Sequence, residues 1–314
     1  MNVQKATEPD GLSPIPGGTF KMGSNRHYPE EAPVHKVHVD PFEIDIGPVT
    51  NLEFARFVRE TGHVTTAETA PDPADYPGAL PEMLHPGSLV FRQPRRPVPM
   101  NNWGMWWEFC FGASWRAPQG PGSTIEGLDH HPVVHVSYTD ALAYAHWAGK
   151  DLPTEAEWEF AARGGLDGAE YAWGDELAPN GRHLANTWQG QFPWENTDEN
   201  GWRGTSRVGH YPANGYGLYD MIGNVWEWTS DFWTERHPQD AAKACCIPKN
   251  PRVSDPAGSQ DPCQPEILIP RKVLKGGSHL CAPNYCQRYR PAARHPEPID
   301  TSTSHVGFRC VRRS

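Results

Sequence analysis

No stretch of this 314-residue chain approaches the roughly 20 consecutive apolar residues of a membrane-spanning helix. The N-terminus lacks the basic start and apolar run of a secretory signal. Positive charge is in deficit: 28 Lys and Arg stand against 38 Asp and Glu, a formal net charge of -10. That balance argues against nucleic acid as partner, and the lack of a long apolar stretch against a membrane. It suits a solvated cytoplasmic protein, with a basic peptide as a fitting substrate. Internal repeats and low-complexity runs are absent. Long periodic segments are scarce, because 30 Gly and 33 Pro make up 63 of the 314 residues, against ordinary usage of roughly 12%. Such a composition excludes long helices and a large regular sheet. Seven cysteines cannot all pair internally, and in a leaderless chain reduced thiols are the default.

What the chain has instead is aromatic mass: 13 Trp, 10 Tyr and 11 Phe supply a core where regular structure is scarce. The expectation is one loop-rich α+β domain over residues 17–314, preceded by a disordered tail over 1–16 and carrying a surface insert at about 235–272. From Gly17, the segments GGTFKMGS and HKVHVDPFEIDIGPVT alternate apolar and polar residues as half-buried strands do. Thr50-x-x-Glu53, Ser137-x-x-Asp140 and Thr154-x-x-Glu157 are capping boxes, and Gly62, Gly149 and Gly164 end the helices they open. HPVVHVS and HVGFRCVRR read as strands, the second carrying Cys310. Residues 70–130, dense in Pro, Gly and Trp, read as irregular but packed, because a linker has no use for Trp103, Trp106, Trp107 and Trp115. The insert holds Cys245, Cys246 and Cys263, which are given no role.

The chemistry concentrates in KGGSHLCAPNYCQRYRPAAR, residues 275–294. Cys281 and Cys286 lie about 140° apart around a helix and on opposite faces of a strand, so neither element joins them. Ala282-Pro283-Asn284-Tyr285 between them has turn residues at its centre, and a turn there makes the two side chains face each other. The pair then suits either a disulfide or a two-thiolate site for one soft metal ion, with Cu(I) the best match. A closed zinc site wants four N or S ligands, and His279, His295 and His305 lack zinc spacing. Gly276 and Gly277 open the backbone ahead of the pair, and Ser278 adds a hydroxyl. His131 and His135 begin a His-x3-His-x-Glu iron motif, but Ser137 stands where the Glu belongs, so they read as histidines on a half-buried strand. Two groups of oxygen donors, Asn186 with residues 196–202 and Asp220 with Glu227, lack the order of an EF-hand loop. By spacing alone they read as solvated acidic loops.

Taken together, GGTFKMGS, EAPVHKVHV, PVTNLEFARFV, HPVVHVS, WAGKDLPTEAEWEFAARGG, NTWQGQFP, NGYGLYDMIGNVWEWTSD, KGGSHLCAPNYCQRYRPAAR and GFRC resemble the formylglycine-generating enzymes, the sulfatase-modifying factor family. The resemblance spans nearly the whole chain. It implies little regular secondary structure and kinship with the C-type lectin fold. It implies an activity: oxidation, by O2 and Cu(I), of the cysteine in a Cys-x-Pro-x-Arg segment of an unfolded sulfatase to Cα-formylglycine. By the same resemblance Cys281 and Cys286 hold the copper, the substrate thiolate joins as a third sulfur, Ser278 is needed for turnover, and Trp226 lies beside the copper pocket. Two structural Ca2+ ions are implied as well, one at Asn186, Thr187, Asn200 and Trp202, the other at Asp220, Gly223, Val225 and Glu227. Ala145, Ala162 and Pro291 stand where secretory-pathway members carry disulfide cysteines, which leaves Cys310 without its partner and points to a reduced, cytoplasmic home.

Trp226, Tyr285, Phe308 and Arg290 are the expected substrate contacts, the aromatics forming an apolar pocket for the client's proline. Arg288, Arg290 and Arg294 are expected to favour the thiolate form of both cysteines. The rival from another class is a lectin-like binding module in which Cys281 and Cys286 form a plain disulfide. A relative of the sulfoxide synthases would need an intact His-x3-His-x-Glu.

Overall fold

Period-two alternation near the N-terminus does produce strands. The computed structural model describes residues 11–238 and 247–313. In it β1 (Leu12–Ile15), β2 (Gly18–Met22), β3 (His35–Val39) and β4 (Phe42–Asp45) form first. β2 and β3 pair antiparallel with Phe20 opposite Val37, so Phe20, Met22, Val37 and Val39 are buried while Lys21 and Lys36 face solvent. β1 pairs with β4. The disordered tail expected over 1–16 is therefore corrected from Leu12 onward, because pairing with β4 satisfies this segment's backbone; residues 1–10 lie outside the described residues.

The helices follow their caps. α1 (Asn51–Thr61) precedes a hairpin of β5 (Gly87–Phe91) and β6 (Trp107–Phe111), and then come α2 (Tyr138–Trp147) and α3 (Glu155–Arg163). All three capping boxes close with both reciprocal hydrogen bonds, and Gly62 and Gly164 take the left-handed C-cap. The remaining strands are β7 (Trp226–Phe232), β8 (Arg271–Lys275), β9 (His295–Pro298), β10 (Val306–Gly307) and β11 (Val311–Arg313). A four-stranded sheet runs β10-β7-β8-β9, and β11 joins β4 on the side away from β1. The sheets are small and the connections long, as the Gly and Pro content requires. No helix among the described residues is long and apolar enough to cross a membrane.

Two expected strands are corrected. HPVVHVS is irregular: His135 has φ 59°, which breaks a strand, and its neighbours bond to separate loops, Val133 N to Val49 O and His135 N to Thr303 O. His135 is a buried core group, its Nδ1 2.7 Å from Ser88 Oγ and its Nε2 2.9 Å from Pro118 O. Burial holds it neutral, with its pKa down to about 4. HVGFRCVRR splits into β10 and β11, because the Asp45 carboxylate accepts from the Cys310 N–H at 2.8 Å between them. Of the insert, Cys245 and Cys246 lie outside the described residues. Its later part docks on the body through His38 N to Pro248 O and Asn250 to Asp40, leaves Cys263 exposed, and leads into β8.

Buried ion pairs join these pieces. Lys275, at the end of β8, is fully buried between Glu159 at 3.1 Å and Glu155 at 3.5 Å, both on α3. Glu159 also meets Arg163 at 2.7 Å and accepts from the Gly23 N–H at 2.8 Å. Burial alone would raise its pKa, but Lys275 and Arg163 outweigh it and hold Glu159 down to about 2. A depressed folded-state pKa means that this stabilisation is present above the ordinary glutamate range and is lost as pH falls toward 2. Glu159→Met should lower stability by about 3–5 kcal/mol, the usual result of stranding a buried charge, because Arg163 loses its carboxylate, while Lys275→Met should cost less, since Glu159 keeps Arg163 and Glu155 keeps Arg294. Urea midpoints of the two variants test this; equal losses in both would contradict it.

Candidate active site

β8 delivers the cysteine loop. Gly276 and Gly277 have φ of 92° and 70°, and a Cβ on Gly277 would sit 2.9 Å from the Tyr289 nitrogen. The double glycine thus permits both the left-handed path and the close approach of the loop's two ends. Beyond it the Cys281 N–H donates to Ser278 O at 3.0 Å, and the Ser278 N–H points at Cys281 Sγ at 3.4 Å. Ser278 Oγ accepts from Leu280 N. The expected turn is present, with Tyr285 N–H donating to Ala282 O at 3.0 Å and Cys286 N–H to the same oxygen at 2.9 Å.

The turn brings the sulfurs to 3.1 Å, as two free cysteines. Cys281 is buried and Cys286 half-buried. Burial pushes the Cys281 thiol up, and its hydrogen bond to Cys286 adds to this. Cys286, which receives that hydrogen bond and lies near Arg288, is pulled below the ordinary thiol value. The shifts favour Cys281 as donor and Cys286 as acceptor of the hydrogen bond between them. Of the three cations expected beside the sulfurs, Arg288 acts on them. Arg290 and Arg294 are corrected: Arg290 forks onto Glu31 at 2.5 and 2.8 Å, and Arg294 pairs with Glu155 at 2.9 Å. Both are fully buried there. Arg290 is thereby removed from the substrate contacts as well, since its donors face Glu31 and Gln287 O.

Trp226 packs in the same buried cluster as Cys281 and lies against the His295 ring, with centroids 5.5 Å apart. Phe308 is corrected from pocket wall to core. It is fully buried, edge-on to Tyr144 at 5.2 Å and to Phe54 at 6.4 Å. Tyr285 does face outward. It stacks on Phe192 at 4.3 Å, with Trp106 edge-on at 5.7 Å. Phe192 and Trp106 pack with Trp188, whose N–H donates to Cys281 O at 3.0 Å. This aromatic wall beside the cysteines escaped sequence reasoning at Trp188 and Phe192. Asn284 supplies its fastening, with bonds to both N and O of Phe192.

The oxygen clusters are also placed. Asn200 Nδ2 lies 3.3 Å from Asn186 Oδ1, and Trp202 N–H donates to Asn200 Oδ1 at 3.1 Å, so three of the first four residues meet, with Thr187 adjacent in sequence. In the second cluster Glu227 is fully buried, and Arg309 at 2.7 and 2.8 Å and Trp158 Nε1 at 2.7 Å occupy both of its oxygens. Asp220 Oδ2 accepts from Gly209 N at 2.8 Å, whereas Oδ1 is buried with no hydrogen-bond partner among the described residues. Burial raises the Asp220 pKa to about 6. Gly223 lies beside the first cluster, where an added Cβ would meet Asn186 O at 2.6 Å. Val225 is buried.

Fold and site define a loop-rich α+β protein of the C-type lectin-like kind, with a reduced cysteine pair set against an aromatic wall. The structure aligns with PvdO from Pseudomonas aeruginosa at a TM-score of 0.63 over 96% of this chain and 94% of that one, at 21% identity. The Sulfatase-modifying factor enzyme 1-like domain matches residues 1–314. The chain is 54% identical to the formylglycine-generating enzyme of Mycobacterium tuberculosis, over 96% of this chain and 97% of that one. It is 38% identical to the inactive C-alpha-formylglycine-generating enzyme 2 of Bos taurus, over 95% and 86%. The chain belongs to the sulfatase-modifying factor family, that of the formylglycine-generating enzymes.

The burial and hydrogen-bond asymmetry predicts an order of reaction. In metal-free protein, iodoacetamide at neutral pH should alkylate Cys286 faster than Cys281, because the less buried sulfur has the lowered pKa and the thiolate is the nucleophile. Peptide mapping over time checks this; equal labelling of the two would contradict it.

Proposed function

We propose that this chain is a copper-dependent oxidase that converts the cysteine of a Cys-x-Pro-x-Arg segment in an unfolded sulfatase to Cα-formylglycine with O2. The observation that carries the proposal is the unbridged Cys281–Cys286 pair at 3.1 Å, in a chain 54% identical to a protein named formylglycine-generating enzyme. An all-sulfur donor set fits Cu(I) better than zinc, and Cys281 and Cys286 would hold it. Bound there, copper would supply the redox chemistry that activates O2 and a position for a third thiolate. The protein's own part is to keep two sulfurs together and charged. Arg288 offsets their negative charge, the Ser278 amide supports Cys281, and the turn at Pro283-Asn284 sets their separation. Ser278 is the proposed further group in turnover.

The conversion balances as one peptidyl CH2SH, O2, two electrons and two protons giving CHO, hydrogen sulfide and water. The electron pair must come from an external reductant, such as a small thiol. The client segment must be extended to present its thiol, so an unfolded chain is the natural substrate. Tyr285, Phe192 and Trp106 offer an apolar surface for its proline, whose fixed φ leaves little backbone entropy to lose, with Trp226 behind the sulfurs. The acidic balance of the protein suits a basic client segment and argues against nucleic acid. Five unpaired cysteines among the described residues support a reducing, cytoplasmic setting. Copper-loaded protein incubated with a Cys-x-Pro-x-Arg peptide and a thiol should yield peptide in which sulfur is replaced by oxygen. Replacing Cys281 and Cys286 with Ser should abolish this and barely move the urea midpoint, since two small side chains are a minor share of the core. Unchanged peptide, with a Cys281–Cys286 disulfide in the intact protein, would support a lectin-like binding module instead.

For calcium the fit divides. Asn186, Thr187, Asn200 and Trp202 supply neutral oxygens of the right kind, and the buried Asp220 Oδ1, which has no hydrogen-bond partner among the described residues, suits a cation, with Gly223 and Val225 as the proposed carbonyl donors. Glu227 does not fit as a ligand in this arrangement, because Arg309 neutralises it. Chelation should lower the melting temperature through linkage, and Asp220→Asn should remove that sensitivity. Glu227→Ala should destabilise by about 3–5 kcal/mol with or without calcium, since it strands Arg309. Scans with calcium and with chelator check both; indifference of the wild type would contradict a calcium site.

A further inference from the structure

The β5–β6 hairpin presents an unusual outer surface. On β6, Trp107, Phe109 and Phe111 point to one face, with Phe91, Leu89 and Gly87 opposite them on β5. Phe109 and Phe111 are nearly half exposed, at 46% and 48%, and Phe109 lies over Gly87, where an added Cβ would come within 2.9 Å of its ring. The same three β6 residues carry the open edge. Leu89 N–H donates to Ser302 O and Leu89 O accepts from Ser304 N–H, away from β6. Arg92 N–H donates to Trp106 O, and Gly112 N–H to Pro86 O. In an antiparallel pair bonded and non-bonded positions alternate, so the backbone groups of Trp107, Phe109 and Phe111 point outward, and no protein partner for Phe109 is found among the described residues. Exposed edges are usually blunted by Lys, Pro or a cover. This one carries aromatics.

The strip is continuous with the site. Phe91 contacts Trp107, Trp188 and Phe192 with centroids 5.7–5.9 Å apart, which places one end of the hairpin in the aromatic wall beside Cys286. From Trp107 to Phe111 an antiparallel strand spans about 14 Å, the length of four or five extended residues. We propose that the outer edge and aromatic face of β6 bind an extended, alternately apolar segment of the client polypeptide by strand addition, next to the segment that enters the site. Main-chain hydrogen bonds to Trp107, Phe109 and Phe111 would supply sequence-tolerant affinity, and alternate apolar side chains would pack beside Phe109 and Phe111. This rests on the proposed conversion of an unfolded client, because a folded one has no free strand.

The test compares three peptides: a core with only Cys-x-Pro-x-Arg, the core extended at either end by about five residues alternating Val and Thr, and the same extension made of Ser and Gly. Turnover and fluorescence anisotropy of Cys→Ser versions are both measured. Wild type should favour the Val-Thr extension about tenfold, in KM and in binding rather than kcat. Phe109→Thr with Phe111→Thr, which keeps strand-compatible side chains, should erase that preference and leave core-peptide turnover unchanged. Equal handling of the three peptides by wild type, or a double variant weakened equally on all of them, would overturn strand addition. So would a concentration-dependent dimer of the wild type that the double variant abolishes, which assigns the strip to a second copy. Preferential binding of the Val-Thr peptide with no turnover of any peptide would instead sink the oxidase reading and leave the strip standing.

Discussion

A loop can hold two sulfurs in contact only if both of its ends are fixed, and here charge fixes them. Lys275 before the double glycine is locked into Glu155 and Glu159 of α3. Arg288, Arg290 and Arg294 after the cysteines are locked into Glu30, Glu31 and Glu155. Glu155 therefore serves both ends. In a protein with short strands and three helices among its described residues, these buried pairs do the joining that a continuous sheet does elsewhere. Buried pairs of this kind contribute little net stability, but breaking one is expensive, so they select one arrangement of the loop.

That arrangement divides the arginines by task. All three follow the cysteines in sequence, and sequence alone gives them one electrostatic role. Geometry separates them: the guanidinium of Arg288 lies near Cys286 and lowers its pKa, whereas Arg290 and Arg294 are neutralised by glutamates 259 and 139 residues away. The sulfurs thus lie near one cation, Arg288, which Glu30 also pairs, and a hydrogen bond joins them to each other. A soft cation replacing the proton of that bond would find both donors already positioned.

The local features were legible in the sequence. Capping boxes at Thr50, Ser137 and Thr154 depend on residues three apart, and the Pro283-Asn284 turn on four. Alternation in GGTFKMGS and HKVHV needs only a strand's period. What failed depended on distant partners. His135 takes a left-handed backbone beside Thr303 and Ser88, and Phe308 faces Tyr144 and Phe54 instead of the pocket. Glu227 is a calcium ligand only by what the resemblance implies, and nothing in its neighbourhood of the chain reveals Arg309, 82 residues on. Trp188 and Phe192 join the site through hydrogen bonds to Cys281 and Asn284 that no spacing rule anticipates.

In the proposed function Cys281 and Cys286, alone among the described side chains, form a soft-metal site completed by the client's thiolate. Sulfur-resolved X-ray absorption at the copper edge, on Cu(I)-loaded protein before and after adding a Cys-x-Pro-x-Arg peptide, tests it most directly. Two sulfur ligands and no nitrogen are expected without peptide, and a third sulfur with it. Nitrogen ligation from His279, His295 or His305, or a coordination shell that ignores the peptide, would contradict it.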